Sequence, residues 1–379
     1  MIKTFKYKLY PNRTQEQAMH QTTFLCSLVY NRCLAERKDA WEFEQRSVTY
    51  NQQQNQLPSL KKEDERFKTV HSQVLQDAVG RVDTSFQNFF RRCKNGETPG
   101  YPRFKSARRY DSFTYPQGGF KLAFDGRQLR LSKIGDVKIK LHRPIEGEIL
   151  TLTIHRQVDG WFACFACEVE PQRLPPTDKV VGIDLGITNF AITSDGEFFE
   201  PIKYLRKGER KIKRHQRIVS RHKKGSRRRK KAVRNLARAH QRVRYKRADT
   251  HHKVAHRLVN LYSLIVLEAL IVSNMVKNHH LAKSISDAGW NSFSTILFYK
   301  AEEAGRTVHY VDPKFTSQMC SNCGVIVKKP LSQRWHSCSC SCGCELHRDV
   351  NAAKNILNKH LARTEPSRAN VAVVNASVS

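Results

Sequence analysis

Two acidic residues stand in places where acids are uncommon, and a third opens a helical pattern. Asp184 ends the apolar run VVGID, Glu268 is the only charge in LYSLIVLEALIV, and Asp349 opens the helical pattern DVNAAKNILNKHL. A carboxylate among apolar neighbours is costly unless a cation or hydrogen bonds compensate it. Asp349 alone also reads as a helix first-turn acid and Asp184 as a strand-end turn acid. Glu268 has no comparable structural role. Carboxylates from two strands and a helix could hold two Mg²⁺ or Mn²⁺ ions about 4 Å apart, which activate water for in-line attack on a phosphodiester and stabilise the leaving 3′-oxygen.

A second group of residues points to a softer metal. The chain has eleven cysteines, an odd number bunched toward one end, in a sequence too long to need disulfide staples. That usage fits thiolates as metal ligands in a reducing compartment. Cys320-Ser-Asn-Cys323-Gly324 has the spacing of a zinc knuckle, with further cysteines a short way on. From Cys338 the stretch CSCSCGC puts a cysteine at every second position, so no pair within it has the C-x-x-C spacing. Cys164-Phe-Ala-Cys167 has that spacing but lies in a strand pattern, where residues three apart face opposite ways and cannot chelate one ion. Those two, with Cys26, Cys33 and Cys93 in helical patterns, read as small buried hydrophobes.

These residues must be positioned by elements that the hydrophobic pattern outlines. KTFKYKLY alternates as a strand, and Thr14 to Gln17 fits a capping box that opens a helix. Leu75, Val79, Val82, Phe86 and Phe89 mark a second helix that ends near Asn95-Gly96. Short alternating strands follow from about residue 120 to 170, with turns at Asp125-Gly126 and Asp159-Gly160. The linker QRLPPTDK leads to a three-strand antiparallel meander that carries Asp184. LYSLIVLEALIV reads as one buried strand, and AKSISDAGWNSFSTILFYKAEEAG as one amphipathic helix ending at Gly305.

Charge narrows the partners. The formal net charge is +33, far beyond what solubility needs, so a polyanion is expected and nucleic acid is the commonest. No apolar run approaches the roughly 20 residues of a membrane span, and MIKTFKYKLYPN has no apolar stretch of a secretory signal. A cytoplasmic, nucleoid-associated protein of a bacterium or archaeon is the expectation. Residues 203–247 hold 22 Lys or Arg and one acid, Glu209. Leu205, Ile212 and Val219 recur every seven residues there, and Ala232, Leu236, Ala239 and Val243 by four, three and four. Two helices folded back on each other, with a narrow apolar seam and a cationic outside, satisfy both patterns. With almost no acids to pair, the cations call for phosphates. The candidates are Lys203, Arg206, Arg210, Arg214, Arg217, Arg221, Arg227, Arg234, Arg238 and Arg242.

The segments GIDLGITNFAITSDG, IVLEALIVSNM, LAKSISDAGWNSFSTILFYKAEEAGRTVHYVDPKFTSQMCSNCG and HRDVNAAKNIL together resemble TnpB, the RNA-guided DNA endonuclease of insertion sequences, related to type V CRISPR nucleases. The resemblance runs from Val180 to Leu357, and FKYKLYPNRTQEQAM and GYPRFKS extend it toward the start. It implies a multidomain α+β chain. A β-barrel wedge domain would comprise residues 1–10 and 97–173, and a helical recognition lobe residues 11–96. A RuvC-like nuclease domain of RNase H fold would take residues 178–313 and 346–362, with the basic hairpin at 203–250 within it. A zinc-binding insertion would span 314–345, and 363–379 would form a disordered tail. Asp184, Glu268 and Asp349 would bind the Mg²⁺ or Mn²⁺ ions. The partners would be a guide RNA from the transposon end and double-stranded DNA beside a short motif read by the protein.

Two departures from the family pattern matter. Ala269 follows Glu268 where the family carries Asp or Asn, and Ser339 stands where a fourth zinc ligand is expected. By the resemblance, Cys342-Gly343 supplies the third ligand. The fourth is then Cys340 or, alternatively, Cys338, with Cys344 as a spare thiol for a single zinc ion. The alternative function is a cleavage-inactive, RNA-guided DNA-binding repressor, against which the intact acids speak. A transposase joining strands with the same acids is a more distant reading.

Overall fold

The computed structural model describes residues 1–123, 126–328, 330, 332–338 and 342–364, which fall into two units dividing after Glu170. In the first unit the alternating start forms β1 (Ile2–Tyr10), which buries Phe5, Tyr7 and Leu9. Helix α1 (Arg13–Glu44) is capped two residues before the expected capping box. Asn12 caps it, its side chain accepting from the Gln15 amide while the Gln15 side chain accepts from the Asn12 amide. Asparagine caps as well as threonine does, and here the box residue falls at Gln15 rather than Gln17.

Short helices α2 (Tyr50–Asn55) and α3 (Leu57–Glu63) precede α4 (Ser72–Lys94). Strands β2 (Ser112–Tyr115), β3 (Phe120–Leu122), β4 (Gln128–Leu131), β5 (Gly135–Lys140), β6 (Glu148–Gln157) and β7 (Gly160–Glu168) complete the unit. With β1 they make a sheet of order β2-β6-β7-β1-β5-β4-β3. Among the described residues β2 and β3 do not pair through their backbones, so a closed barrel is not shown, although the Tyr115 ring of β2 lies 6.2 Å from that of Phe120 in β3. Sheet and helices share one core, in which Phe5, Tyr7 and Leu9 meet Leu25, Val29 and Tyr30 of α1 and Leu75, Val79 and Val82 of α4. Asp159-Gly160 turns β6 into β7, whereas Asp125 of the other expected turn lies outside the described residues. Cys26, Cys33 and Cys167 are buried and Cys164 partly so, but Cys93 is exposed, because the last turn of α4 runs past the core.

The second unit is built on a five-stranded sheet of order β10-β9-β8-β11-β12. β8 (Val180–Leu185), β9 (Ala191–Thr193) and β10 (Phe198–Phe199) form the meander. The basic segment becomes α5 (Tyr204–Arg221) and α6 (Arg227–Leu261). β11 (Leu264–Glu268) then runs parallel to β8. After α7 (Val272–Met275), α8 (His279–Ala288) and α9 (Trp290–Ala304), β12 (Thr307–Val311) lies parallel to β11. The hairpin β13 (Trp335–Ser337) and β14 (Glu345–His347) precedes α10 (Arg348–Thr364). The expected tail lies mostly beyond residue 364, outside the described residues.

The strand does not run through LIVLEALIV but ends at Glu268, because the chain turns at Leu270 into α7. The long amphipathic helix is two helices, since Gly289 at φ +67° ends α8 in the left-handed conformation and α9 starts at the next residue.

The sheet is covered on both faces. Val181, Ile183, Leu185, Ile265 and Leu267 pack against α6, α8 and α9 through Leu258, Ile285, Phe293 and Leu297. On the opposite face Val266 and Val311 meet Ile356 of α10. No described helix is long and apolar enough to cross a membrane.

Candidate metal centres and basic helices

Strand residues two apart share a face. Because Val181, Ile183 and Leu185 point toward α6, α8 and α9, Gly182 and Asp184 point toward α10. On β11 the same alternation puts Leu264, Val266 and Glu268 on the α10 side. Leu267 pairs with Ile183 in parallel register, so the next step sets Glu268 beside Asp184 at the carboxyl ends of adjacent strands. α10 can approach because residue 182 is glycine: a Cβ there would lie 2.1 Å from the Ala353 carbonyl oxygen. Ala353 is one helical turn beyond Asp349, so this approach brings Asp349 over Asp184.

The electrostatics follow from that convergence. Burial pushes the Asp184 carboxyl up to about 8, the charges of Glu268 and Asp349 add to it, and Arg348 opposes them. Burial also raises Glu268, opposed by a hydrogen bond from Thr316 and the charge of Lys359. Thr316 Oγ1 donates to Glu268 Oε1 at 2.5 Å. Asp349 Oδ2 lies 4.0 Å from both the Arg334 guanidinium and His347 Nδ1. Crowded carboxylates on a rigid sheet repel one another, and a divalent cation with a preference for oxygen ligands relieves the repulsion. Oxygen donors of this kind suit Mg²⁺ or Mn²⁺ by chemistry, although in this structure the three carboxylates do not all come within 4.8 Å of one another.

The sulfur atoms of Cys320, Cys323, Cys338 and Cys342 all lie within 4.8 Å of one another. Cys320 and Cys342 are 3.8 Å apart, and Cys323 and Cys338 are 3.5 Å apart. Zinc–sulfur bonds of about 2.3 Å in a tetrahedron set sulfurs about 3.8 Å apart, so the four fit one zinc ion. Burial raises the Cys320 thiol, but hydrogen bonds from the backbone of Cys323 and Asn322 outweigh it and bring it down to about 7. Cys340 lies outside the described residues, and Cys338 stands in this group. The pairing of β13 with β14 continues as Cys338 N to Cys344 O. Cys344 is buried and forms a second group with Cys320 and His336.

All ten basic candidates, Lys203 to Arg242, are exposed, while Ile212, Ala232 and Ala239 form the buried seam between α5 and α6. Glu209 accepts from Lys213 at 2.9 Å and from Lys283, and these hydrogen bonds hold it down at about 2. One anchor left no trace in the sequence pattern. Asp287, 1% exposed, accepts from the Leu205 amide at 2.9 Å, the Arg206 amide at 3.3 Å and the Arg247 guanidinium at 3.2 Å. A carboxylate at a helix N-terminus satisfies orphan donors and opposes the helix dipole. Gly182 and Ala353 escaped the sequence reading too, although their spacing of two and four from the acids was available. Thr316 and Arg334 carried no signal.

Comparison with known proteins adds three findings. Residues 164–279 match a family described as the IS605 OrfB probable transposase, and residues 290–356 a Cas12f1-like TNB domain. Residues 1–46 match a family described as a helix-turn-helix domain, though here they form one strand and one continuous helix. A Streptomyces pristinaespiralis protein named RNA-guided DNA endonuclease is 39% identical over 370 residues, which span 95% of this chain and 90% of that protein. InsQ of Escherichia coli K12, which carries the same name, is 32% identical over 94% of this chain and 92% of its own. The solved structure of the mini-RNA-guided endonuclease CRISPR-Cas phi3 superposes with a TM-score of 0.52 at 9% identity, covering 94% of this chain and 92% of that one. That likeness is one of fold.

Proposed function

Since the chain belongs to the IS605 OrfB family of TnpB-like RNA-guided DNA endonucleases, we propose that Asp184, Glu268 and Asp349 form its cleavage centre. The protein is a nuclease of insertion-sequence type whose partners are RNA and DNA. What supports the location of the chemistry is the convergence of three carboxylates on one sheet face, with Asp184 raised to about 8 by burial and by the other two.

Asp184, Glu268 and Asp349 would hold two Mg²⁺ or Mn²⁺ ions. When bound, such ions lower the pKa of a water and neutralise charge developing at the scissile phosphate. The protein's own contribution is positional. β8 and β11 fix two carboxylates side by side, and α10 brings in the third. Arg334, 49% exposed beside Asp349, is placed to meet a phosphate oxygen. The two strand ends and the helix start are held by backbone pairing, so the ligands need little reorganisation.

The sequence of the target would be read by pairing with a guide RNA from the transposon end, and a short flanking DNA motif by the protein. The exposed cations of α5 and α6 would hold the nucleic-acid backbone, a role that needs charge and no base recognition. Cys320, Cys323, Cys338 and Cys342 would hold one structural zinc. The RNase H-like assignment of the second unit and action beside the nucleoid belong to the same proposal.

The deciding experiment sequences any RNA that co-purifies with the protein and compares the protein and Asp184→Ala on DNA matched to it. Loss of cutting with RNA binding retained is expected, and equal cutting by both would overturn the assignment. Guided binding without nicking by the unsubstituted protein in saturating Mg²⁺ would instead identify a cleavage-inactive DNA-binding protein.

A further inference from the structure

Thr316 is 4% exposed, and its hydroxyl faces two acceptors, Glu268 Oε1 at 2.5 Å and the Pro313 carbonyl at 3.1 Å. A hydroxyl has one hydrogen, and the shorter, charge-assisted bond takes it. One oxygen of Glu268 is thereby committed, which stops rotation of the carboxylate and leaves Oε2 for a ligand.

Thr316 is itself held by the helix that carries Asp349. Asn355 Nδ2 donates to the Thr316 carbonyl at 2.8 Å and to the Met319 carbonyl at 2.6 Å. Asn351 Nδ2 donates to the Met319 carbonyl at 2.7 Å, and its Oδ1 accepts from the Ser321 amide at 2.9 Å. Both asparagines are buried, at 0% and 1% exposure, and lie four apart on one face of α10. They grip the backbone on either side of Cys320, the most buried of the four clustered cysteines. Farther along α10, Lys359 donates to the Asp312 carbonyl at 3.0 Å and to that of Lys314. A position serving only to pack would bury a valine more cheaply than a hydroxyl.

We infer that Thr316 is a positioning residue for Glu268, and that α10, the cysteine knuckle and the acidic centre form one mechanical unit that sets the affinity for divalent cations. The inference rests on the acidic-centre reading above. The knuckle folds around Cys320, the asparagines fix its backbone to α10, and Thr316 transmits that placement to Glu268. Groups that orient a metal's ligands in this way typically change metal affinity 10- to 100-fold when removed.

The test is calorimetric titration of Mn²⁺ into the purified full-length protein without nucleic acid, with zinc content and thermal unfolding measured on the same samples. Thr316→Val is expected to weaken Mn²⁺ binding roughly 10- to 100-fold at unchanged zinc content, and Thr316→Ser to restore it. If Mn²⁺ binding is lost in Asp184→Ala but unaltered in Thr316→Val, the inference fails while the acidic centre stands. If Thr316→Ser is as weak as Thr316→Val and both lose zinc, the residue is merely structural and the inference fails. If the unsubstituted protein shows no Mn²⁺ site sensitive to Asp184→Ala, both readings fall together.

Discussion

The backbone of Gly182 touches the carbonyl of Ala353 so closely that a Cβ at residue 182 would intrude to 2.1 Å. A side chain there must push α10 away from β8, and Asp349 moves with the helix. Gly182→Val is therefore expected to abolish cleavage and weaken Mn²⁺ binding. It should lower stability by about 1–3 kcal/mol, the usual cost of overpacking. Thermal unfolding and Mn²⁺ titration measure the two effects, and the co-purifying RNA should persist.

Asp184 makes the metal-free protein pH-sensitive in an unusual direction. Its carboxyl titrates near 8 when folded, against about 4 when unfolded. Between those values the native state binds more protons than the unfolded one, so this group lowers stability as pH rises through that window. Mn²⁺ competes with the same proton, so its binding should tighten as pH rises toward and past the folded value of about 8. Chemical denaturation with chelator present, then with Mn²⁺, should show stability falling with pH only in the first case.

Zinc content separates the cysteines. Cys338→Ser is expected to lose zinc, because Cys338 stands in the four-sulfur group, whereas Cys344→Ser should retain it. Elemental analysis of each variant, reading zinc bound or absent, decides the matter. Retained zinc in Cys338→Ser would shift the fourth ligand to Cys340.

The basic helices should bind by charge. Replacing Arg214, Arg217, Arg234 and Arg238 with glutamine removes four exposed cations without touching the Ile212–Ala239 seam. The slope of log K against log salt should become less negative by about 0.7 to 0.9 for each phosphate that is no longer neutralised. Preference among DNA sequences should not change.

Asp287 holds the start of α5 and the middle of α6 at once. Asp287→Ala leaves Arg247 and the first amides of α5 without their shared acceptor. Breaking a buried charge pair by removing one partner costs about 3–5 kcal/mol. Urea unfolding should record that loss, accompanied by weaker RNA retention.

Asp184 and Glu268 were legible because each is a lone charge in or ending an apolar run, whereas Asp349, beside Arg348 at a helix start, was set apart from an ordinary first-turn acid only by the resemblance. Their exact setting was not. Glu268 looked interior because Ala269 to Val272 prolongs the apolar run, yet the chain turns there to begin α7. The break at Gly289 was hidden by apolar residues that keep helical spacing across it. Cys338 and Cys340 could not be separated by alternation, since residues two apart share a face. The pairing of β13 with β14 is a tertiary fact that spacing does not contain. Asp287 and Thr316 bond to partners tens of residues away, and one sequence offers no pattern for such pairs.

Asp184 lies in the first strand of its unit and Asp349 in the last helix, with Glu268 between them. A chain still being synthesised, or one truncated before α10, therefore has two of its three carboxylates and an uncovered patch around Val266 and Val311. Such a fragment would keep the basic helices but lack Asp349, the third of the carboxylates proposed to hold the metal ions. On the proposed reading, the cutting centre cannot be completed until the last helix of the unit has been made.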